Sequence, residues 1–176
     1  EKIHIPNSVL RIGEYAFQWC ESLTEIHIPD SIMSIGSNSF SCCKSLTEIY
    51  IPNFTIELPG FSPSIGDSAF CNCESLRKIH IPDTIEEIAS GVFWDCHSLS
   101  EIYIPDSVTK IGSYAFYNCR SLREIHIPDS VTYLSQNIFL GCENLKRVYL
   151  DRSRWDDDDI QQIFGANRTF EILPLR

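Results

Sequence analysis

The chain is 176 residues long, and apolar residues (43%) and charged residues (22%) occur in the proportions of a folded globular domain. Its formal net charge of −10 disfavours nucleic acid as a partner, because binding a polyanion requires clustered Lys and Arg side chains. No apolar run approaches the roughly 18 residues of a membrane-spanning helix, so we expect no membrane insertion by this segment.

The sequence is an internal repeat with a period of 23 residues. The pair Ile-Pro recurs from Ile5-Pro6 to Ile127-Pro128 at steps of 23, 23, 30, 23 and 23 residues. Three further columns keep this spacing: a Phe column (Phe17, Phe40, Phe70, Phe93, Phe116, Phe139), a Cys column (Cys20, Cys43, Cys73, Cys96, Cys119, Cys142) and a Leu column (Leu23, Leu46, Leu76, Leu99, Leu122, Leu145). One coil is too small to bury its own apolar face, so the coils are expected to stack around a continuous core.

Each coil begins with a predicted strand, for which the segment from Leu23 to Pro29 is representative. Ile26 and Ile28 are expected to point inward, and Glu25 and His27 then point outward, because side chains alternate along a strand. Stacking places these strands side by side in a parallel sheet. The Pro that follows each strand has no N–H and therefore ends it.

The rest of each coil leads the chain back to the next strand. In the second coil, residues 31–36 bring two more apolar side chains inward, and Gly36 suits a tight turn. Residues 37–43 are predicted to form one helical turn that carries Phe40 into the core.

Two segments depart from the repeat. The third coil has about seven extra residues within 53–64. This insertion is interpreted as a tolerated bulge, with a partner-contacting loop that presents Phe54 and Phe61 as the alternative. Residues 151–176 are predicted to be a degenerate last coil that caps the core. Within them, Asp156 to Asp159 is typical of the start of a short helix, whose dipole favours negative charge, and a calcium site is the alternative.

The N-terminal end lies within a repeat, because the sequence from Glu1 to Pro6 matches the strand of a coil. This indicates a fragment of a longer protein. We expect the first coil to be uncapped, and its open sheet edge then favours self-association.

The motif L-x-x-I-x-I-P-x-S-V-x-x-I-G-x-x-A-F-x-x-C-x-S runs from Leu99 to Ser121, and related copies fill residues 1–150. This motif resembles that of the BspA-type leucine-rich repeat family. The resemblance implies an α/β fold: a right-handed solenoid with a parallel sheet on its concave face and short helical turns or coils on the convex side. It also implies a secreted or cell-surface protein that acts in adhesion and binds a protein ligand, such as a host or extracellular-matrix protein.

Six of the eight cysteines occupy the Cys column, and we expect them to be free, buried thiols that behave as small apolar side chains. Stacked coils hold neighbouring cysteines parallel, which is poor geometry for a disulfide bond. Cys42 and Cys71 lie outside the column in adjacent coils, and a bond between these two stays open. The absence of any C-x-x-C motif disfavours a zinc site, and no cofactor is expected.

The outward strand position carries an aromatic ring in seven successive coils. We call this set the His/Tyr strip, and it consists of His4, His27, Tyr50, His80, Tyr103, His126 and Tyr149. Two interpretations stay open: a structural ladder of rings that covers the sheet, and a recognition surface that contacts a protein or a glycan through exposed rings with polar tips. Metal binding by His4 with His27 is disfavoured, because no third ligand is fixed nearby.

A catalytic function is disfavoured, because every histidine except His97 belongs to the His/Tyr strip. A residue that recurs in each coil indicates a scaffold and not a singular active site. We therefore expect a non-enzymatic protein-binding module whose contact surfaces are the strip and the insertion. A rigid spacer for other domains and a glycan-binding repeat are the alternatives.

Overall fold

The computed structural model describes residues 1–54, 62–165 and 169–175. The elements in chain order are β1 (Lys2–His4), β2 (Arg11–Ile12), β3 (Glu25–His27), β4 (Ser34–Ile35), β5 (Glu48–Tyr50), β6 (Ser64–Ile65), β7 (Lys78–His80), β8 (Glu87–Ile88), β9 (Glu101–Ile102), β10 (Lys110–Ile111), β11 (Glu124–His126), β12 (Tyr133–Leu134), β13 (Arg147–Tyr149), a 3-10 turn (Arg152–Arg154), α1 (Asp157–Phe164) and β14 (Glu171–Leu173). The odd-numbered strands and β14 form one side of a solenoid. The even-numbered strands from β2 to β12 form a second side.

The odd-numbered strands pair in parallel, each with the strand of a neighbouring coil, which confirms the predicted parallel arrangement. In the first pair, Lys2 lies opposite Glu25 and His4 lies opposite His27. The pairing is interrupted twice, so that β1 and β3 form one sheet, β5, β7 and β9 a second, and β11, β13 and β14 a third. Because the register is one whole repeat, a column of the sequence becomes a line of side chains along the solenoid.

The even-numbered strands form a second parallel side that the sequence analysis did not predict. They make two sheets, one of β2, β4 and β6 and one of β8, β10 and β12. Ile12, Ile35 and Ile65 align there and are buried in the core. Each of these strands is two residues long, and so short a run contains no alternation from which a strand can be recognised.

The segment after each even-numbered strand is a series of tight turns, and the helical turn predicted over residues 37–43 is wrong. Asn38 and Cys42 have φ angles of 54° and 63°, which a right-handed helix excludes. The backbone N–H groups alternate in direction: Ser41 donates to Asn38 of its own coil at 3.1 Å, whereas Cys42 donates to Cys71 of the next coil at 2.7 Å. Hydrogen bonds between coils therefore join the turns as they join the strands.

The Phe column is a stack of rings inside the solenoid. The centroids of neighbouring rings lie 5.2–6.0 Å apart from Phe17 to Phe139. Phe40, Phe70 and Phe116 are fully buried. Each coil thus buries its ring against the rings of its two neighbours, which is the packing that a single coil cannot supply.

The cysteines are free thiols, and Cys42 and Cys71 are not joined by a disulfide bond. In the Cys column, five Sγ–H groups donate to a Phe carbonyl oxygen of the preceding coil at 3.0–3.3 Å, namely those of Cys43, Cys73, Cys96, Cys119 and Cys142. Burial away from water raises the pKa of Cys43 and of Cys142 to about 12. The predicted column of buried thiols is confirmed for these five, while Cys20 is half-buried.

Phe54, at the start of the insertion, packs inside the protein. Its side chain is 3% exposed within the core, and its backbone N–H donates to Thr84 Oγ1 at 3.0 Å. This position corrects the expectation that Phe54 faces a partner, because burying a Phe ring removes a large apolar area from water. Phe61 lies outside the described residues.

The C-terminal segment adds α1 and a further strand to the solenoid. Asp156 accepts a hydrogen bond from the Asp159 N–H at 2.8 Å, and the Asp159 carboxylate accepts one from the Asp156 N–H at 3.2 Å. This reciprocal cap confirms that the acidic run starts a helix. Phe164 and Phe170 pack against Phe139, and β14 pairs with β13. A boundary between repeats and cap at residue 150 stays a prediction.

Candidate functional site

The parallel register of the odd-numbered strands brings the residues of the His/Tyr strip into one line. Six of the seven rings form three stacked pairs. The centroids are 5.3 Å apart in the pair His4 with His27, 4.6 Å in the pair Tyr50 with His80, and 4.2 Å in the pair His126 with Tyr149. Stacking of this kind orders the rings and covers the sheet beneath them.

The members of the strip differ in their access to solvent. Tyr50 is 61% exposed and Tyr103 is 66% exposed, whereas Tyr149 is only 9% exposed. His80 is half-buried, and its Nδ1 lies 2.9 Å from the Ile51 carbonyl oxygen. The strip therefore offers two large exposed rings, while Tyr149 belongs to the packed layer and is not accessible for contact with a partner.

Tyr103 stands apart from the three stacked pairs. Within the described part of the chain its ring contacts no other ring, and strand β9 ends one residue before it. A depression of about 310 Å³ lies on one side, lined by His80 and Glu101, and a second of about 360 Å³ lies on the other, lined by His126 and Pro128. Side chains of a partner protein can pack into the two depressions and contact this exposed ring from both sides.

Two ion pairs join charged residues beside the rings in neighbouring coils. The Arg147 guanidinium lies 2.9 Å from the Glu124 carboxylate, and Lys2 Nζ lies 2.5 Å from the Glu25 carboxylate. Such exposed ion pairs contribute little to stability. They do neutralise the edge of the strip, so that the rings and not a net charge distinguish this surface.

The site has no features of a metal centre, since the described ranges contain no cluster of three His, Cys, Asp or Glu residues that is able to hold a metal ion. None of the helices in the described part is long and apolar enough to span a membrane.

An aromatic and polar cluster on the turn side of coils four and five was not predicted from the sequence. The Trp94 ring lies 4.3 Å from the Tyr117 ring and 5.3 Å from the Tyr114 ring, measured between centroids. The Asp95 carboxylate accepts hydrogen bonds from Trp94 Nε1 at 3.0 Å and from Asn118 Nδ2 at 2.8 Å. The signal was present in the sequence, because Trp94 and Tyr117 replace the small residue that follows Phe in coils two and three.

The family model described as the BspA type leucine-rich repeat region matches this chain in six copies, over residues 1–62 and 54–155. No curated protein matches the chain at a significant level.

Several solved structures have the same fold. The chain is 27% identical to a T. pallidum leucine-rich repeat protein, with a TM-score of 0.73 over 99% of this chain and 86% of that one. It is 25% identical to a leucine-rich repeat protein from Bacteroides ovatus (TM-score 0.59; 99% of this chain and 54% of that one). It is 24% identical to a leucine-rich cell surface protein from Faecalibacterium prausnitzii (TM-score 0.54; 96% and 63%). The chain thus spans 54% and 63% of the latter two proteins. The match to the family model covers most of the sequence, and the chain belongs to the BspA-type leucine-rich repeat family.

Proposed function

We propose that this chain is a non-enzymatic protein-binding module, part of a cell-surface or secreted adhesion protein, and that the His/Tyr strip, apart from the packed Tyr149, is its contact surface. The observation that carries the proposal is the exposure of Tyr103. Its side chain is 66% exposed, contacts no other ring within the described residues and lies between two depressions. Tyrosine is enriched among the residues that dominate binding energy in protein interfaces, because one ring supplies both apolar area and a hydrogen-bonding tip.

The rigidity of the strip supports this function. Rings in stacked pairs on hydrogen-bonded strands have little conformational freedom left to lose when a partner docks. The location at a cell surface is supported by the F. prausnitzii relative, which is a leucine-rich cell surface protein. A rigid spacer is the second candidate function. It is favoured by the same stacking, because six of the seven rings of the strip already contact another ring of the strip.

The test is binding of the immobilised protein to a panel of extracellular-matrix proteins, mucins and glycans. Two variants, Tyr103→Ala and Tyr50→Ala, each remove one of the two exposed tyrosine rings of the strip. Tyr133→Ala is the matched control, because Tyr133 is 56% exposed but lies on β12, on the second side of the solenoid. We expect the loss of Tyr103 to weaken binding by about 30-fold, the size of a hot-spot substitution, and the control to change it less than twofold.

Equal loss of binding in Tyr133→Ala would exclude the strip as the contact surface. Competition by a free sugar would assign a glycan ligand and overturn the choice of protein. Failure of the unsubstituted protein to bind anything in the panel would favour the spacer. Circular dichroism of each variant verifies that the fold is retained.

A further inference from the structure

A cationic groove lies beside the N-terminal ends of strands β7, β9, β11 and β13. It has a volume of about 820 Å³. Its lining is polar and comes from four successive coils: Arg77, Ser98, Ser100, Glu101, Ser121, Arg123, Asn144 and Lys146. Three of these residues are cations and one is an anion, so the groove is locally positive in a chain whose net charge is −10.

Within the described part of the chain, the three cations of the groove form no ion pair with an acidic side chain. The ion pairs of the described residues engage Arg120 with Glu143 and Arg147 with Glu124 nearby, but none engages Arg77, Arg123 or Lys146. All three side chains are exposed. In a chain with ten more acidic than basic side chains, cations left unpaired around a groove are available to an external anion.

Several backbone N–H groups beneath the groove already donate hydrogen bonds to the preceding coil. The N–H of Arg77 donates to Thr47 at 2.8 Å, that of Ser100 to Arg77 at 3.3 Å, and that of Lys146 to Arg123 at 2.8 Å. An extended peptide that docks by adding a strand needs free N–H and C=O groups at a sheet edge, and these groups are engaged here. Recognition therefore falls to the side chains, which are guanidinium, ammonium, hydroxyl and amide groups.

The spacing of the cations sets the charge density of a fitting ligand. Arg77, Arg123 and Lys146 precede β7, β11 and β13 in the first, third and fourth of four successive coils. At about 4.8 Å per strand they span roughly 14 Å. Duplex DNA carries one charge per about 1.7 Å, far denser than this array, whereas an acidic polysaccharide alternates separated anionic groups with hydroxyls. Ser98, Ser100, Ser121 and Asn144 are suited to those hydroxyls.

We propose that this groove binds an acidic polysaccharide, with Arg77, Arg123 and Lys146 on its sulfate or carboxylate groups. Glu101 lines both the groove and the depression beside Tyr103, but the three cations of the groove lie outside the proposed protein-binding strip. The groove is a local exception to the low affinity for polyanions that the net charge predicts.

The probes are dextran sulfate and carboxymethyl dextran, which place sulfate and carboxylate on the same backbone, with uncharged dextran as the blank. Binding to the intact protein is measured by calorimetry at 50, 100 and 200 mM salt. We expect binding to at least one charged dextran and none to the blank. Affinity should fall with salt, because docking on the cations releases counterions. The charged dextran that binds with the higher affinity identifies the anionic group that the groove prefers.

The variant Arg123→Gln/Lys146→Gln is expected to lose about tenfold or more in affinity and to show a shallower salt dependence, by about two released ions. The matched control is Lys110→Gln, which removes an exposed cation from β10 on the second side of the solenoid. It should change the affinity less than twofold.

Three outcomes would overturn the proposal. The first is absence of binding to both charged dextrans at 50 mM salt, and the second is an equal loss of affinity in Lys110→Gln. The third is tighter binding of polyglutamate than of either dextran, which would assign the groove to acidic peptides. If the variants of the His/Tyr strip show no effect on protein binding, the polysaccharide and polyglutamate measurements on the groove remain valid. The two proposals are therefore tested independently.

Discussion

The column of buried thiols predicts that this protein loses stability at mildly alkaline pH. Burial raises the pKa of Cys96 well above the ordinary value of 9.0, and it does the same for Cys73 and Cys119. The folded protein therefore keeps a proton that the unfolded chain releases as the pH rises past 9. The stabilisation is complete below the unfolded pKa and is lost progressively as the pH rises from there towards the folded pKa, which is about 12 for Cys43.

The magnitude follows from the two pKa values. At pH 9.5 an unfolded thiol with a pKa of 9.0 is about three-quarters ionised, which stabilises the unfolded state by just under about 1 kcal/mol per cysteine. The five thiols that donate to Phe carbonyls together account for about 4 kcal/mol. This is a large part of the 5–15 kcal/mol that typically separates the folded and unfolded states.

The assay is urea unfolding at pH 7.5, 8.5 and 9.5 in the presence of a reductant, followed by both circular dichroism and tryptophan fluorescence. Coincident transitions establish two-state behaviour, which repeat proteins do not always follow. The variant Cys96→Ala should be less stable than the unsubstituted protein at pH 7.5. The loss of stability of this variant between pH 7.5 and 9.5 should nevertheless be smaller, by just under about 1 kcal/mol, because one titrating thiol is missing.

The control is Ile88→Val, a buried apolar change without an ionisable group. Its stability should be lower by about 1 kcal/mol at every pH, with an unchanged decline. If Cys96→Ala declined with pH as steeply as the unsubstituted protein, ionisation of the buried thiols would not be the cause.

Three further predictions concern stability, each measured as the free energy of unfolding in urea at pH 7.5. Ser31→Ala should cost about 1 kcal/mol because its Oγ donates to a backbone carbonyl at 2.7 Å, whereas Ser107→Ala should be nearly neutral because its buried Oγ has no partner in the described part. Phe93→Ala should cost about 3–5 kcal/mol, and Phe17→Ala clearly less, because Phe17 is half-buried and stacks on one neighbour only. Asp156→Ala should cost about 1 kcal/mol through loss of the helix cap.

Each of these predictions has an outcome that contradicts it. Equal costs for the two serine variants would mean that the hydrogen bond of Ser31 contributes nothing beyond its packing. Equal costs for the two Phe variants would show that the stack does not gain stability from a second neighbour. An unchanged stability of Asp156→Ala would mean that α1 is held by the packing of Ile160 and Ile163 without its cap.

The sequence by itself determined the solenoid and its columns of residues. In a stacked repeat each residue pairs with the residue one period along the chain, so the period alone places His27 beside His4 and Phe70 beside Phe40. The burial of the Cys column follows in the same way, because Cys lies three residues from a core Phe in every coil. These inferences need only the spacing and the polarity of the residues.

Only the tertiary structure decided what distinguishes one coil from the next. The period treats Tyr103 and Tyr149 as equivalent, but one is exposed between two depressions and the other is packed in a stacked pair. It likewise treats Arg147 and Arg123 as surface charges, although one is paired with Glu124 and the other faces a groove. Exposure and pairing depend on the positions of individual atoms across several coils. A periodic pattern determines which residues are neighbours, but not the distances between their side-chain atoms.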